Sequence, residues 1–149
     1  MANATFYIVS EQSTQANEAG FDAYVLFLSQ HFANQGAKVY LNCHDQTHAE
    51  RLAELFWQAD SHDYIAHNLV GEGPKYGTNI EIGHQNAKPN WNRQIVINLA
   101  DNNTTFAQQF SEVVDFVPCE ENAKQQARNR YKIYRQAGFN LQTIEIQHP

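Results

Sequence analysis

Strand-like and helix-like segments alternate along most of this 149-residue sequence, which predicts a three-layer α/β fold with a largely parallel sheet. Two further observations support it. The helical segments carry apolar residues at helical intervals, as they must to lie on a sheet. And no repeat, low-complexity tract or linker divides the chain, so residues 1–149 are expected to form a single domain.

The first strand is Thr5 to Val9, a β-branched and aromatic run ended by Ser10. Residues 16–34 follow as a helix, with Phe21, Tyr24, Val25, Leu28 and Phe32 on one side and Gly36 as its stop. Lys38 to Cys43 reads as a second strand. Residues 46–58 form another amphipathic helix, capped by Asp45 or by Thr47, which with Glu50 fits a capping box. The stretch from Gly71 to Asn92 is dense in glycine, proline and asparagine and reads as loop, with a short strand near Asn79 to Ile82. Arg93 to Leu99 and Glu112 to Val117 are further strands, Pro118 opens a last helix, and Gln142 to Gln147 makes a final strand.

Composition narrows the function. The apolar content is 42% and the net charge −6, which fits a soluble globular protein. Sequence-independent nucleic-acid binding draws on Lys and Arg that replace phosphate counterions. Ten such cations against sixteen carboxylates argue against an extended duplex-binding surface. No apolar run is long enough to span a bilayer, and Met1 to Ser10 lacks the basic-then-apolar order of a secretory signal. Cys43 and Cys119 have no framework spacing, so the cytoplasm, a reducing compartment, is the expected location.

The nucleotide, metal and catalytic signatures of α/β proteins find little support. After the first strand a dinucleotide site needs glycines that let pyrophosphate approach a helix N-terminus; here the turn is Ser10-Glu11-Gln12-Ser13-Thr14. The fold is therefore expected to be Rossmann-like without a nucleotide-binding loop. No G-K-[ST] triplet is present, and the glycine-rich Gly71-Glu72-Gly73-Pro74 carries an acid where phosphate would sit. His44 and His48 are four residues apart, and His62, His67, Cys43 or Asp45 could add ligands, but the spacing matches no zinc pattern. Cys119 has no recognisable histidine partner and no serine lies in a G-x-S-x-G turn. No catalytic, cofactor-binding or metal site is assigned.

Charge distribution is more informative. Lys124, Arg128, Arg130, Lys132 and Arg135 are five of the ten Lys and Arg residues. The segment from Cys119 to Ala137 holds those five cations and two carboxylates, Glu120 and Glu121, for a net +3; the rest of the chain then carries −9. At about 100° per residue, Lys124, Arg128, Lys132 and Arg135 share one stripe. Ala123, Ala127, Tyr134 and Ala137 form the adjacent face, with Tyr131 at the seam. Like charges at this spacing cost a helix about 0.2–0.5 kcal/mol per pair, a repulsion that a bound anion relieves. A solvated helix face is the plain alternative.

The residues of this region also carry a resemblance. Glu-Val-Val-Asp-Phe-Val-Pro at 112–118, Lys-Gln at 124–125, Ala-Arg at 127–128, Arg-Tyr-Lys at 130–132, Tyr-Arg at 134–135 and Ala-Gly-Phe-Asn-Leu at 137–141 form its most specific block. Asn-Ala-Thr-Phe-Tyr at 3–7, His-Asn-Leu at 67–69 and Gly-Glu-Gly-Pro at 71–74 agree with it. In these runs the sequence resembles the chi subunits of bacterial DNA polymerase III holoenzyme, over essentially its whole length. The resemblance implies a non-catalytic accessory of the clamp-loader assembly. Such a protein bridges the psi subunit to the acidic C-terminal tail of single-stranded DNA-binding protein, a tail ending in Pro-Phe with a free carboxylate. It implies Lys124, Arg128 and Lys132 as tail-binding cations, Tyr131 beside them, and Val117 and Leu141 as walls for the terminal ring. It implies Trp57 and Tyr64 for psi. DNA would be met only indirectly, and neither membrane nor cofactor is involved.

Two other readings compete with the adaptor. One is a small α/β enzyme using the basic helix as a phosphate or nucleotide site. The other is direct binding of single-stranded DNA along the basic stripe, for which only Tyr131 and Tyr134 offer stacking rings.

Overall fold

A computed structural model describes residues 2–11, 16–58, 67–69, 80–84, 94–100 and 110–146. Among these residues seven strands and three helices follow one another as β1 (Asn3–Ile8), α1 (Glu18–Asn34), β2 (Val39–Cys43), α2 (Gln46–Trp57), β3 (His67–Leu69), β4 (Ile80–His84), β5 (Ile95–Asn98), β6 (Glu112–Val117), α3 (Glu121–Gln136) and β7 (Asn140–Glu145). The strands form one sheet in the order β3-β4-β2-β5-β6-β1-β7, and every neighbouring pair is parallel.

Side chains alternate across the sheet and divide its packing between two layers. On one face Val39, Leu41 and Cys43 of β2, Ile80 and Ile82 of β4, Ile95 and Ile97 of β5, and Val114 and Phe116 of β6 pack under α1 and α2. On the other, Ala4 and Phe6 of β1, Tyr40, Val96 and Val113 meet Tyr134 of α3. Helices on both faces bury the central strands twice: β2 and β5 are buried at every residue. β7, at the sheet's end, is exposed at all but Leu141.

Local chemistry sets the helix ends. The Asn17 side chain accepts from the Gly20 N–H at 2.7 Å to start α1, and Gly36, at φ +89°, turns the chain after it. Of the two caps open to α2, Asp45 fills the role, accepting from the His48 N–H at 2.9 Å. The α3 start differs from expectation. Pro118 precedes the helix, and the cap is Glu120, whose carboxylate accepts from the Asn122 and Ala123 N–H groups at 3.0 and 2.7 Å. These bonds favour the charged form and hold the Glu120 carboxyl below its ordinary range.

Other boundaries move as well. β7 begins at Asn140 instead of Gln142, because α3 ends in an Ala137-Gly138 turn with Gly138 at φ +91°. Ala137 is accordingly exposed, off the sheet-facing side assigned to it. β4 runs two residues beyond Ile82. β3 answers to no expected strand: three residues are too few for a period-two pattern to register.

Candidate functional site

The basic helix has two sides with different electrostatics. Its inward side holds Arg130, a cation counted with the basic surface in the sequence but only 3% exposed here. Arg130 Nε donates to Asp115 Oδ2 at 2.9 Å and Nη2 to Oδ1 at 3.0 Å, a bidentate pair. Asp115 sits on the α3-facing side of β6, fully buried, and takes three more donors: Tyr134 OH at 3.0 Å, Asn98 Nδ2 at 3.2 Å and the Phe116 N–H at 2.7 Å. Burial above all, and then the Asp115 charge, push the Tyr134 hydroxyl far above its ordinary pKa, so it stays a donor. Asn42 extends the network, donating to Asn98 Oδ1 at 2.8 Å. Arg130 is therefore structural, and of the helix's five cations only the four on the stripe remain candidates for docking.

The outward side builds a groove of about 550 Å³ over the end of the sheet. Arg128, Tyr131, Lys132 and Arg135 of α3 form one wall, together with Gln125 and Ala127. Phe6 of β1, Val117 of β6 and Thr143 of β7 supply the floor. Phe6 holds the arrangement together, with its ring centroid 5.4 Å from Tyr131 and 5.7 Å from Tyr134. Arg128, Lys132 and Arg135 are exposed, while Tyr131 and Val117 are half-buried. Arg128 Nη1 meets Gln125 Oε1 at 3.4 Å, a weak contact that leaves most of its donors available. Cations around an apolar floor suit an anionic ligand that ends in an apolar group.

Of the residues expected at a tail site, Val117, Arg128, Tyr131 and Lys132 come together in this groove. Lys124, half-buried in the first turns of α3, and Leu141 do not line it. Leu141 packs at the edge of the α3-side cluster and borders a separate recess with Asn3, Thr5 and Glu112. Phe6, Gln125, Ala127 and Thr143 were not anticipated. Only the parallel pairing of β1 with β6 and β7 brings Phe6 beside Val117 and Thr143, and no local pattern encodes that. Arg135, by contrast, was already on the stripe.

Trp57, at the last position of α2, is 68% exposed, so it is a surface residue and no part of the core. Tyr64 lies outside the described residues.

A second cavity, about 310 Å³, opens at the carboxyl ends of β1, β5 and β6, where open α/β sheets commonly bind ligands. The arginine among its described lining residues, Arg130, is already engaged by Asp115, and Glu120 adds a carboxylate to its rim. Neither feature welcomes phosphate. Among the described residues no three of His, Cys, Asp and Glu stand close enough to hold a metal. The His44 and His48 rings lie 5.1 Å apart, tilted by 31°, and His48 Nδ1 accepts from the His44 N–H at 3.2 Å. Burial raises the Cys43 thiol to about 12, which keeps it unreactive. No described helix is long and apolar enough to cross a membrane.

Comparison with known proteins bears on the fold and the family. A crystal structure of T4 UvsW superposes with a TM-score of 0.68 at 12% identity, over 97% of this chain and 41% of that one, a likeness of fold alone. The chain is 40% identical to DNA polymerase III subunit chi of Escherichia coli (strain K12) over 143 residues, 96% of this chain and 97% of the relative. Its counterpart in Haemophilus influenzae is 35% identical over 96% of both chains. The Pseudomonas aeruginosa subunit is 31% identical over 72% of this chain and 74% of its own. The family model "DNA polymerase III chi subunit, HolC" matches residues 1–142. This chain belongs to the DNA polymerase III chi subunit family.

Proposed function

We propose that this protein is a non-catalytic accessory subunit of the DNA polymerase III clamp-loader assembly in DNA replication. As one cytoplasmic domain it bridges the psi subunit to the acidic C-terminal tail of single-stranded DNA-binding protein. It meets DNA only through that protein. The observation that carries this reading is the groove of Arg128, Lys132 and Arg135 around Phe6, Val117 and Tyr131.

The terminal Phe ring of the tail enters the apolar floor, which contributes about 1.5–3 kcal/mol. Micromolar affinity requires roughly 8 kcal/mol, so charge-assisted bonds from Arg128 or Lys132 to the terminal carboxylate must supply much of the rest. Lys124 and Arg135 meet the tail's aspartates through longer, salt-screened attraction. Psi docks on the aromatic surface of Trp57 and Tyr64. Trp57 suits this role because an exposed Trp is a costly residue to leave in water and a common interface anchor.

Fluorescence anisotropy with a labelled acidic peptide ending in Pro-Phe, beside the same peptide amidated at its C-terminus, tests the tail site. Salt-sensitive binding of the free acid that amidation abolishes is the expected result. Failure of the free acid to bind overturns the tail role and returns the phosphate-using enzyme to consideration.

A further inference from the structure

The floor of the groove includes β7, a strand at one end of the described sheet. Among the described residues β7 has one strand neighbour, β1, and they pair over six consecutive residues with no bulge. The Asn140 N–H donates to the Ala2 carbonyl at 3.0 Å and the Ile146 N–H to the Ile8 carbonyl at 3.1 Å. Backbone direction alternates along a strand, so Asn140, Gln142, Ile144 and Ile146 face β1. The N–H and C=O groups of Leu141, Thr143 and Glu145 then point away from the sheet, where no described strand pairs with them. Within β7 itself there is no proline and no lysine, and its only charge is Glu145 at the far end.

Thr143 joins the two features. Its side chain lines the cationic groove, while its backbone lies in the middle of the open edge. The groove that would hold a peptide's last side chain therefore adjoins this edge, with Arg128, Lys132 and Arg135 on its other wall. We infer that β7 takes up the acidic peptide as an eighth strand, in which backbone hydrogen bonds to Leu141, Thr143 and Glu145 align the chain that the groove and its cations select. This inference rests on the tail-binding reading. It adds to it that the partner is bound extended and is read along its backbone as well as at its terminus.

Hydrogen exchange on the full-length protein with the labelled Pro-Phe peptide tests it, together with anisotropy on peptides N-methylated at one residue at a time. Strand addition predicts that the Leu141, Thr143 and Glu145 amides slow on peptide binding, while Gln142 and Ile144, already bonded to β1, change little. N-methylation at every second peptide residue should weaken binding about threefold to tenfold, with the intervening positions tolerant. A peptide that binds without protecting those three amides, or without the alternation, overturns strand addition and leaves the tail site standing. A peptide that does not bind at all removes the tail site and the inference together.

Discussion

Arg128 and Arg130 stand two residues apart on α3, about 200° around the helix, and meet opposite environments. Arg130 points at the sheet, where Asp115 takes both arms of its guanidinium in a site closed to water. Arg128 points outward over Phe6 and Val117, with only a long contact to Gln125 among the described residues. The same side chain is a fold element in one place and a binding element in the other. What separates them is the presence of a buried carboxylate on the facing strand. Asp115 fixes the rotation of α3, and that rotation presents Arg128, Lys132 and Arg135 to solvent together.

The largest test of this contrast is to break the inner pair. Arg130→Ala strands Asp115 as a buried, uncompensated charge, and urea unfolding should register a loss of about 3–5 kcal/mol. The double change Asp115→Leu with Arg130→Met should cost much less, because no charge is left behind; an equal cost would deny the pair its role. Next comes the far side of the molecule. Trp57→Ala should weaken association with the psi subunit by about 2 kcal/mol or more, read by titration calorimetry, and leave peptide binding unchanged.

Arg128→Ala or Lys132→Ala should weaken the Pro-Phe peptide by about 1–3 kcal/mol with the thermal midpoint unmoved. Wild-type affinity in both would place the peptide elsewhere. The smallest effect concerns the helix start. Glu120 has its pKa lowered in the fold by two backbone N–H bonds, so its contribution to stability is full above the ordinary carboxylate range. That contribution is lost as pH falls through the depressed value. Thermal midpoints of the wild type and Glu120→Ala should therefore differ at neutral pH and converge in acid; a constant gap would argue against a charged cap.

Much of this was legible in the residues. Glu112 to Val117 was bounded correctly because it is a Val- and Phe-rich run that Pro118 stops. The stripe of Arg128, Lys132 and Arg135 followed from helical spacing, and Gly36 marked the end of α1. The misses share a cause. Arg130 looked like its neighbours because a sequence shows charge and not the carboxylate across the gap. Phe6 and Thr143 lie 137 residues apart along the chain yet face each other in adjacent strands. β3 was too short to carry a period, and Pro118 offered a helix start that Glu120, with a side chain able to reach two N–H groups, made instead.

The sequence by itself determined the alternation of strands and helices, the stripe of cations and the family, since each depends on spacing within a few residues or on whole runs of residue types. Which cation is buried, which aromatic rings floor the groove, and that β7 stands at the end of the described sheet beside it were decided by strand order. Those contacts join segments distant in the chain, and burial and pairing acquire values only when the sheet is assembled.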